Sequence, residues 1–288
     1  MRPHTLKFKV GLTTALLLSL AACGGGGGGS GGFAVPTTPA TTAAPAAPVT
    51  ETTTTPPTLA KLDGVAATGA AFAGATVTVV DQTGTTVCTT TTDAAGAFSC
   101  TLPATTKAPL VIKASRDDHI FYSTTASAAG GIANVTPLTT IIVSQLSPDG
   151  NPASLAGAIQ TNPSSVTTAT IQTQVAELVA ALKPLLDALG QGAIDVMAGG
   201  FTANGTGQDK VLDAISVSVL PNGSSANIEI TVKTIPTSDG AAPVSIAFNT
   251  ADTATTPTLP PIAAAAVAAM PAPAVVAALF DRMTSCYA

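Results

Sequence analysis

The chain has 288 residues with a formal net charge of −5; only 9% of them are charged, none is Trp and two are Tyr. An acid excess this poor in Lys and Arg excludes nucleic-acid binding and polybasic membrane contact, both of which need clustered cations. So few large aromatics also argue against an aromatic-rich binding surface.

The first nine residues hold Arg2, Lys7 and Lys9 and no acid, and Val10 to Leu20 is apolar or small. A positive segment followed by an apolar one of this length is a secretory signal, expected over residues 1–22. The apolar run is too short for a permanent helix across a hydrocarbon core about 30 Å thick. It ends in Leu20-Ala21-Ala22-Cys23, which resembles the lipobox of bacterial lipoproteins. That resemblance implies acylation of the Cys23 thiol and cleavage that leaves Cys23 as the new N-terminus. The bland reading is an ordinary secretory signal with a chance cysteine. Loss of the leader would leave 8 basic and 16 acidic residues, a net of −8. Gly24 follows the cysteine where an Asp would resemble an inner-membrane retention signal, which points to the outer membrane, on its periplasmic face or at the cell surface.

Residues 23–58 read as a tether expected to be disordered. Gly24 to Gly32 is glycine broken only by Ser30, too costly in entropy to fix as regular structure. Phe33 to Thr58 is rich in Pro, Thr and Ala, a semi-rigid extended spacer. At about 3.1 Å per residue it reaches roughly 80 Å.

From Leu59 the pattern becomes that of strands. Ala75 to Val80 alternates hydroxyl and apolar residues, and Asp81 to Gly84 is a turn. Thr85–Thr92, Ala97–Leu102, Pro109–Ala114 and Ile120–Ser123 follow, the first two joined by an Asp93–Gly96 turn. Strands at this spacing suggest a β-sandwich. Gly69-Ala70-Ala71-Phe72-Ala73-Gly74-Ala75-Thr76-Val77-Thr78-Val79, followed by Thr91-Thr92-Asp93-Ala94-Ala95-Gly96-Ala97-Phe98, resembles the carboxypeptidase regulatory-like family. The resemblance covers about a quarter of the chain and implies a transthyretin-like (prealbumin-like) sandwich of about seven strands over residues 59–136. It implies no peptidase activity, since a zinc carboxypeptidase needs His and Glu ligands and only His119 remains once His4 leaves with the signal.

Cys88 and Cys100 fall on consecutive strands either side of the Asp93–Gly96 turn, where a hairpin brings such positions nearly opposite. In an oxidising compartment that favours a disulfide; a metal site is the rival, and two thiols without His support it poorly.

Residues 137–288 read as mixed helix and β-hairpin, so the fold class is α+β. Thr136 caps a helix that begins at Pro137. Asn162-Pro163 opens a second helical region in which Ile171, Val175, Leu178, Leu182, Leu185 and Leu189 make one apolar stripe. Pro184 is expected to kink it and Gly190 to end it. Phe201 to Leu220 gives a short helix feeding a strand, Pro221 to Ser224 a hairpin turn, and Asn227–Val232 and Val244–Phe248 two more strands. Pro271 and Pro273 divide the apolar residues beyond Ile262, so no second membrane span is expected. Val275, Val276, Leu279, Phe280 and Met283 form a last helical stripe. Cys286, left over near the end, suggests either a frame cut short, with the partner surface of that stripe missing, or an intermolecular disulfide.

No catalytic set emerges. Arg116-Asp117-Asp118-His119 places two acids beside a histidine, but neighbours on a strand face opposite ways, and a solvated loop explains them. Asn204-Gly205-Thr206-Gly207 lacks the Gly-Lys-Ser/Thr ending and preceding strand of a phosphate loop. The expectation is a non-enzymatic envelope module for binding, adhesion or scaffolding, without cofactor or metal. It would be moored through the lipid and act on an envelope or extracellular protein or glycan. The alternatives are a spacer for a domain beyond this chain and, remotely, a hydrolase.

Overall fold

A computed structural model describes residues 59–192, 194–233, 244–252, 257–263 and 266. The residues read as signal and tether, Cys23, the residues read as a last apolar stripe and Cys286 lie outside the described residues.

Seven strands run from Ala60 to Ile132: β1 (Ala60–Val65), β2 (Thr76–Val80), β3 (Thr86–Thr91), β4 (Ala97–Leu102), β5 (Leu110–Arg116), β6 (His119–Thr125) and β7 (Gly131–Ile132). They make two sheets, ordered β4-β1-β7 and β3-β2-β5-β6. Within the second sheet all pairings are antiparallel, while β1 pairs antiparallel with β4 and parallel with β7. Between the sheets the inward residues Leu62, Val77, Val79, Phe98, Leu102, Leu110 and Ile112 are buried together with Phe72. The alternation in β2 thus does what its sequence promises: Val77 and Val79 point inward while Thr76 is exposed.

The Asp93–Gly96 turn is a corner rather than a hairpin turn, and this corrects the expected pairing of its flanking strands. Thr92 still belongs to the β2 side, its Oγ1 donating to the Phe72 carbonyl at 2.6 Å, whereas Ala97 opens β4 in the other sheet. Asp93 holds the corner by accepting from the Ala95 and Ala97 amides at 2.8 and 2.9 Å. Gly96 sits there at φ +77°, and a Cβ would lie 2.3 Å from the Ala66 carbonyl oxygen, so only glycine fits.

The remaining elements are α1 (Pro137–Leu146), α2 (Leu155–Thr161), α3 (Thr168–Ala188), α4 (Gln208–Ala214), and β8 (Ile215–Asn222), β9 (Ser225–Val232) and β10 (Ser245–Asn249) in a sheet ordered β10-β9-β8. Helix α1 begins as its sequence indicates, with Thr136 as N-cap and Pro137 at the first position. It carries no charge and buries every residue from Leu138 to Ser144, the pattern of a central helix enclosed on all sides. Its polar groups are spent on the edge of the sandwich. The Tyr122 amide on β6 donates to Thr140 Oγ1 at 2.9 Å, and Thr139 Oγ1 donates to the Tyr122 carbonyl at 2.7 Å. Two hydroxyls thereby stand in for the missing neighbour strand and cover an edge that would otherwise be open.

Strand β5 is an interior strand, and each of its faces touches an apolar core. Leu110, Ile112 and Ala114 face the sandwich core, while Val111 joins the core built around α1 and α3. That second core contains Leu138, Ile141 and Ile142 of α1, Leu155 and Ile159 of α2, the stripe of α3, and Ile228, Ile230 and Val232 of β9. The second helical region starts later than Asn162-Pro163 indicates: Pro163–Ser165 is a single 3₁₀ turn, and α3 opens at Thr168 under a Thr167 cap. Of its stripe, Leu178, Leu182 and Leu185 are fully buried. Pro184 lies inside the helix, and Gly190, at φ +69°, follows its end. The Gly190 amide donates to the Asp187 carbonyl and the Gln191 amide to that of Leu186, the paired bonds of a Schellman cap. The short helix feeding a strand, the turn before β9 and the last strand occur where the sequence places them, with Gly223 taking φ +67° in the turn.

Candidate functional site

Cys88 and Cys100 are joined, with Cα atoms 5.9 Å apart. The pairing expected from the sequence is present, but its geometry is different. Cys88 pairs across from Val79 in one sheet and Cys100 from Leu62 in the other, so the bond stitches the two sheets rather than a hairpin. Cys100 is buried in the sandwich core.

His119, Asp117 and Asp118 do not converge. Arg116 and His119 close a two-residue turn in which Asp117 takes φ +52°, and both acids and the histidine are exposed. Arg116 makes a loose, exposed ion pair with Asp117, Nε to Oδ2 3.6 Å, while its guanidinium lies 4.7 Å from the centre of the Phe72 ring and its Nη1 donates to the Ala73 carbonyl. Among the described residues no three His, Cys, Asp or Glu side chains are grouped to hold a metal ion.

The carboxylates that do come together were not singled out by the sequence. Asp209 and Asp213 lie one turn apart on α4, behind the Asn204–Gly207 loop. Asn204 Oδ1 folds that loop by accepting from the Thr206 amide at 3.1 Å and its hydroxyl at 2.6 Å. The Gly205 amide then donates to Asp209 Oδ2 at 2.7 Å. Asp209 is 1% exposed, and its other oxygen has no hydrogen-bond partner; one buried oxygen of Asp213 is likewise unpartnered. A Cβ on Gly69 would lie 2.7 Å from Asp213 Oδ1, so the carboxyl packs directly on backbone. Burial, then the negative charge of Asp209, push the Asp213 carboxyl up to about 7, against the pull of Lys233. Burial also raises Asp209, against hydrogen bonds from the Gly205 and Asn204 backbone. The pair can hold a proton near neutral pH. Phe201 to Leu220 reads in sequence as a short helix feeding a strand, behind a glycine-rich loop without phosphate-loop features, and neither reading singles out this pair.

Grooves open at the surface of the described residues. One, about 580 Å³, is lined by Asp63, Thr90, Asp93, Ser99, Asn134 and Phe201 among others. Another, about 510 Å³, runs along the first half of α3 and is largely apolar, floored by Ile171, Val175 and Val179 with Ile194 and Met197 opposite. Ile132, 45% exposed, lies on the rim of both. Asn134 fixes the segment between them: it accepts from the Val65 amide at 3.2 Å and donates to the Gly199 carbonyl at 2.6 Å. No described helix is long and apolar enough to cross a membrane.

A family model described as a bacterial Ig domain matches residues 44–131. No curated protein and no solved structure gives a match to the chain. The matched span contains strands β1 to β6 and the interlocked core between the two sheets, so this part of the chain is a bacterial β-sandwich domain.

Proposed function

We propose that the chain is a non-enzymatic lipoprotein of the bacterial cell envelope, moored in the outer membrane by lipid on Cys23. Its sandwich and helical body then serve as a binding, adhesion or scaffold module. The observation that carries this reading is the register of the leader. A basic start, an apolar run and Leu20-Ala21-Ala22-Cys23 occur in the order that secretion and acylation need, ahead of a glycine segment able to clear the headgroups. A Cys88–Cys100 disulfide is what an oxidising compartment permits, and a bacterial Ig-type match fits a surface or binding module.

The finer assignment of the sandwich is the transthyretin-like one. Constant-type immunoglobulin sandwiches place the first, second, fourth and fifth strands in one sheet. Here the first strand pairs with the fourth and seventh, and the second with the third and fifth, which supports a different winding.

Protease treatment of intact cells, followed by capture of the lipidated protein from native envelope, tests the role. Cleavage in the Phe33–Thr58 tether on whole cells, with a retained envelope or extracellular protein or glycan, is the expected outcome. Protection on whole cells together with recovery of the protein alone contradicts a surface-binding role.

A further inference from the structure

The segment between β1 and β2 joins the two halves of the molecule. Ala66 is buried in the sandwich core and Ala67 in the core around α1 and α3. Gly69, in the turn that Ala67 and Ala71 bridge, takes φ +95° and lies against α4. A Cβ there would sit 2.7 Å from Asp213 Oδ1, 3.1 Å from its Cα and 3.2 Å from its amide nitrogen, so the turn packs on this residue with no side chain between them. Gly205 approaches from the Asn204–Gly207 loop, where a Cβ would lie 3.6 Å from Asp213 Oδ2.

Two carboxyls one helical turn apart therefore meet at this joint, and it offers them few donors. The Gly205 amide bonds Asp209 Oδ2, whereas Asp209 Oδ1 and Asp213 Oδ1 are buried without a partner. Among the described residues, the charges that face Asp213 are Asp209 and, just beyond β9, Lys233. Ala66 to Ala71 and Asn204 to Gly207 include no ionisable side chain, and Lys210 Nζ donates to the Leu189 carbonyl at 3.5 Å. Two ionised carboxylates in such a site repel, and a buried charge without a donor is costly, so a proton held by the pair stabilises the packed arrangement.

We propose that Asp209 and Asp213 form a proton-operated latch between the sandwich and the helical body. With a proton on the pair the Gly69 turn packs on α4; when the proton leaves, that contact opens and water reaches the carboxylates. The direction follows from the two states. Asp213 is raised from 3.8 to about 7 where the turn covers it, by burial first and Asp209 second, and falls back towards 3.8 when uncovered. Closure is favoured most below about pH 4, and opening grows by up to about tenfold per pH unit from there towards 7, then levels off. The sandwich core and the α1–α3 core lie to either side of the joint, so the opening is local.

Hydrogen exchange of the full mature chain at pH 5 and pH 8, read by mass spectrometry and corrected for the intrinsic pH dependence of amide exchange, tests the latch. Peptides covering Ala66–Phe72 and Gly205–Leu212 should lose protection by roughly tenfold or more at pH 8, while those covering β5 and α1 keep theirs. Asp213→Asn should remove the difference; Asp209→Asn should shrink it and serves if the first variant does not fold. Equal protection of the parent at both pH values, a loss spread evenly over the chain, or an undiminished difference in the variants overturns the proposal. Recovery of protection at pH 8 on adding calcium also overturns it, because a cation rather than a proton then joins the carboxyls.

Discussion

The amide of Tyr122 donates to the hydroxyl of Thr140 across 2.9 Å, joining the last long strand of the sandwich to the first helix beyond it. With Thr139 on the Tyr122 carbonyl, the contact turns a threonine-rich helix start into a substitute β-strand and makes β6 an interior element. The same two hydroxyls also bond the Thr136 carbonyl, so the cap of α1 and the edge of the sheet depend on one cluster.

Thr140→Val keeps the side-chain volume and strands the Tyr122 amide in a part-buried site. An unsatisfied donor of this kind costs about 1–3 kcal/mol. The urea midpoint should fall accordingly, and Thr140→Ser, which retains the hydroxyl, should recover most of the loss. A Val variant as stable as the parent removes this hydroxyl from the account of how the two halves are joined.

Reducing the Cys88–Cys100 bond releases a closed loop of 13 residues that spans both sheets. On the chain-entropy argument the loss is about 3 kcal/mol. The denaturant midpoint of the unlipidated chain should drop in the presence of a reductant, and Cys88→Ala with Cys100→Ala should match the reduced protein. Unchanged midpoints in both would mean that the core holds the sheets without the stitch.

Asp213 sets the sign of a pH dependence. Its carboxyl is raised from 3.8 to about 7 in the fold, by burial first and Asp209 second, so the folded chain holds a proton that the unfolded chain releases. Stability from this group is full below about pH 4, where both states are protonated. It declines as pH rises towards 7 and stays low above that. Asp209, raised in the same direction, adds to the slope. Asp81, which hydrogen bonds from Thr83, Lys107 and Thr85 hold low despite the upward pull of burial, acts only below this window. Unfolding measured at pH 5 and pH 8 should therefore show the parent weaker at pH 8, and Asp213→Asn should flatten the difference and be the more stable chain at pH 8. A parent insensitive to pH across this range contradicts the buried carboxyl pair.

What the sequence displayed openly is what depends on neighbours in the chain. The alternation in Thr76–Val80, the Thr136-Pro137 helix start, the α3 stripe with its terminal Gly190 and the turn at Gly223 all emerge as local patterns predict. Elements held by distant partners were harder to see. Strand β1 alternates Lys61 and Asp63 with Leu62 and Gly64, but with one large inward side chain and a glycine the signal is weak, and pairing with β4 and β7 on either side holds it. Helix α2, seven residues with a glycine inside, is fixed by burial of Leu155 and Ile159. The disulfide was legible as a pair but misplaced as a hairpin link, because spacing alone does not tell a turn that folds a strand back from a corner that crosses between sheets. The Asp209–Asp213 pair was likewise invisible, because the backbone that Asp213 packs on is Gly69, well over a hundred residues away in the chain.

Lipid on Cys23 is the claim on which the placement of the whole molecule rests, and fractionation of cells carrying Cys23→Ser tests it most directly. The parent should lose residues 1–22, incorporate labelled fatty acid and sediment with the outer membrane, whereas the variant should take up no label and leave the membrane fraction. Equal processing and equal membrane partition of parent and variant would contradict it.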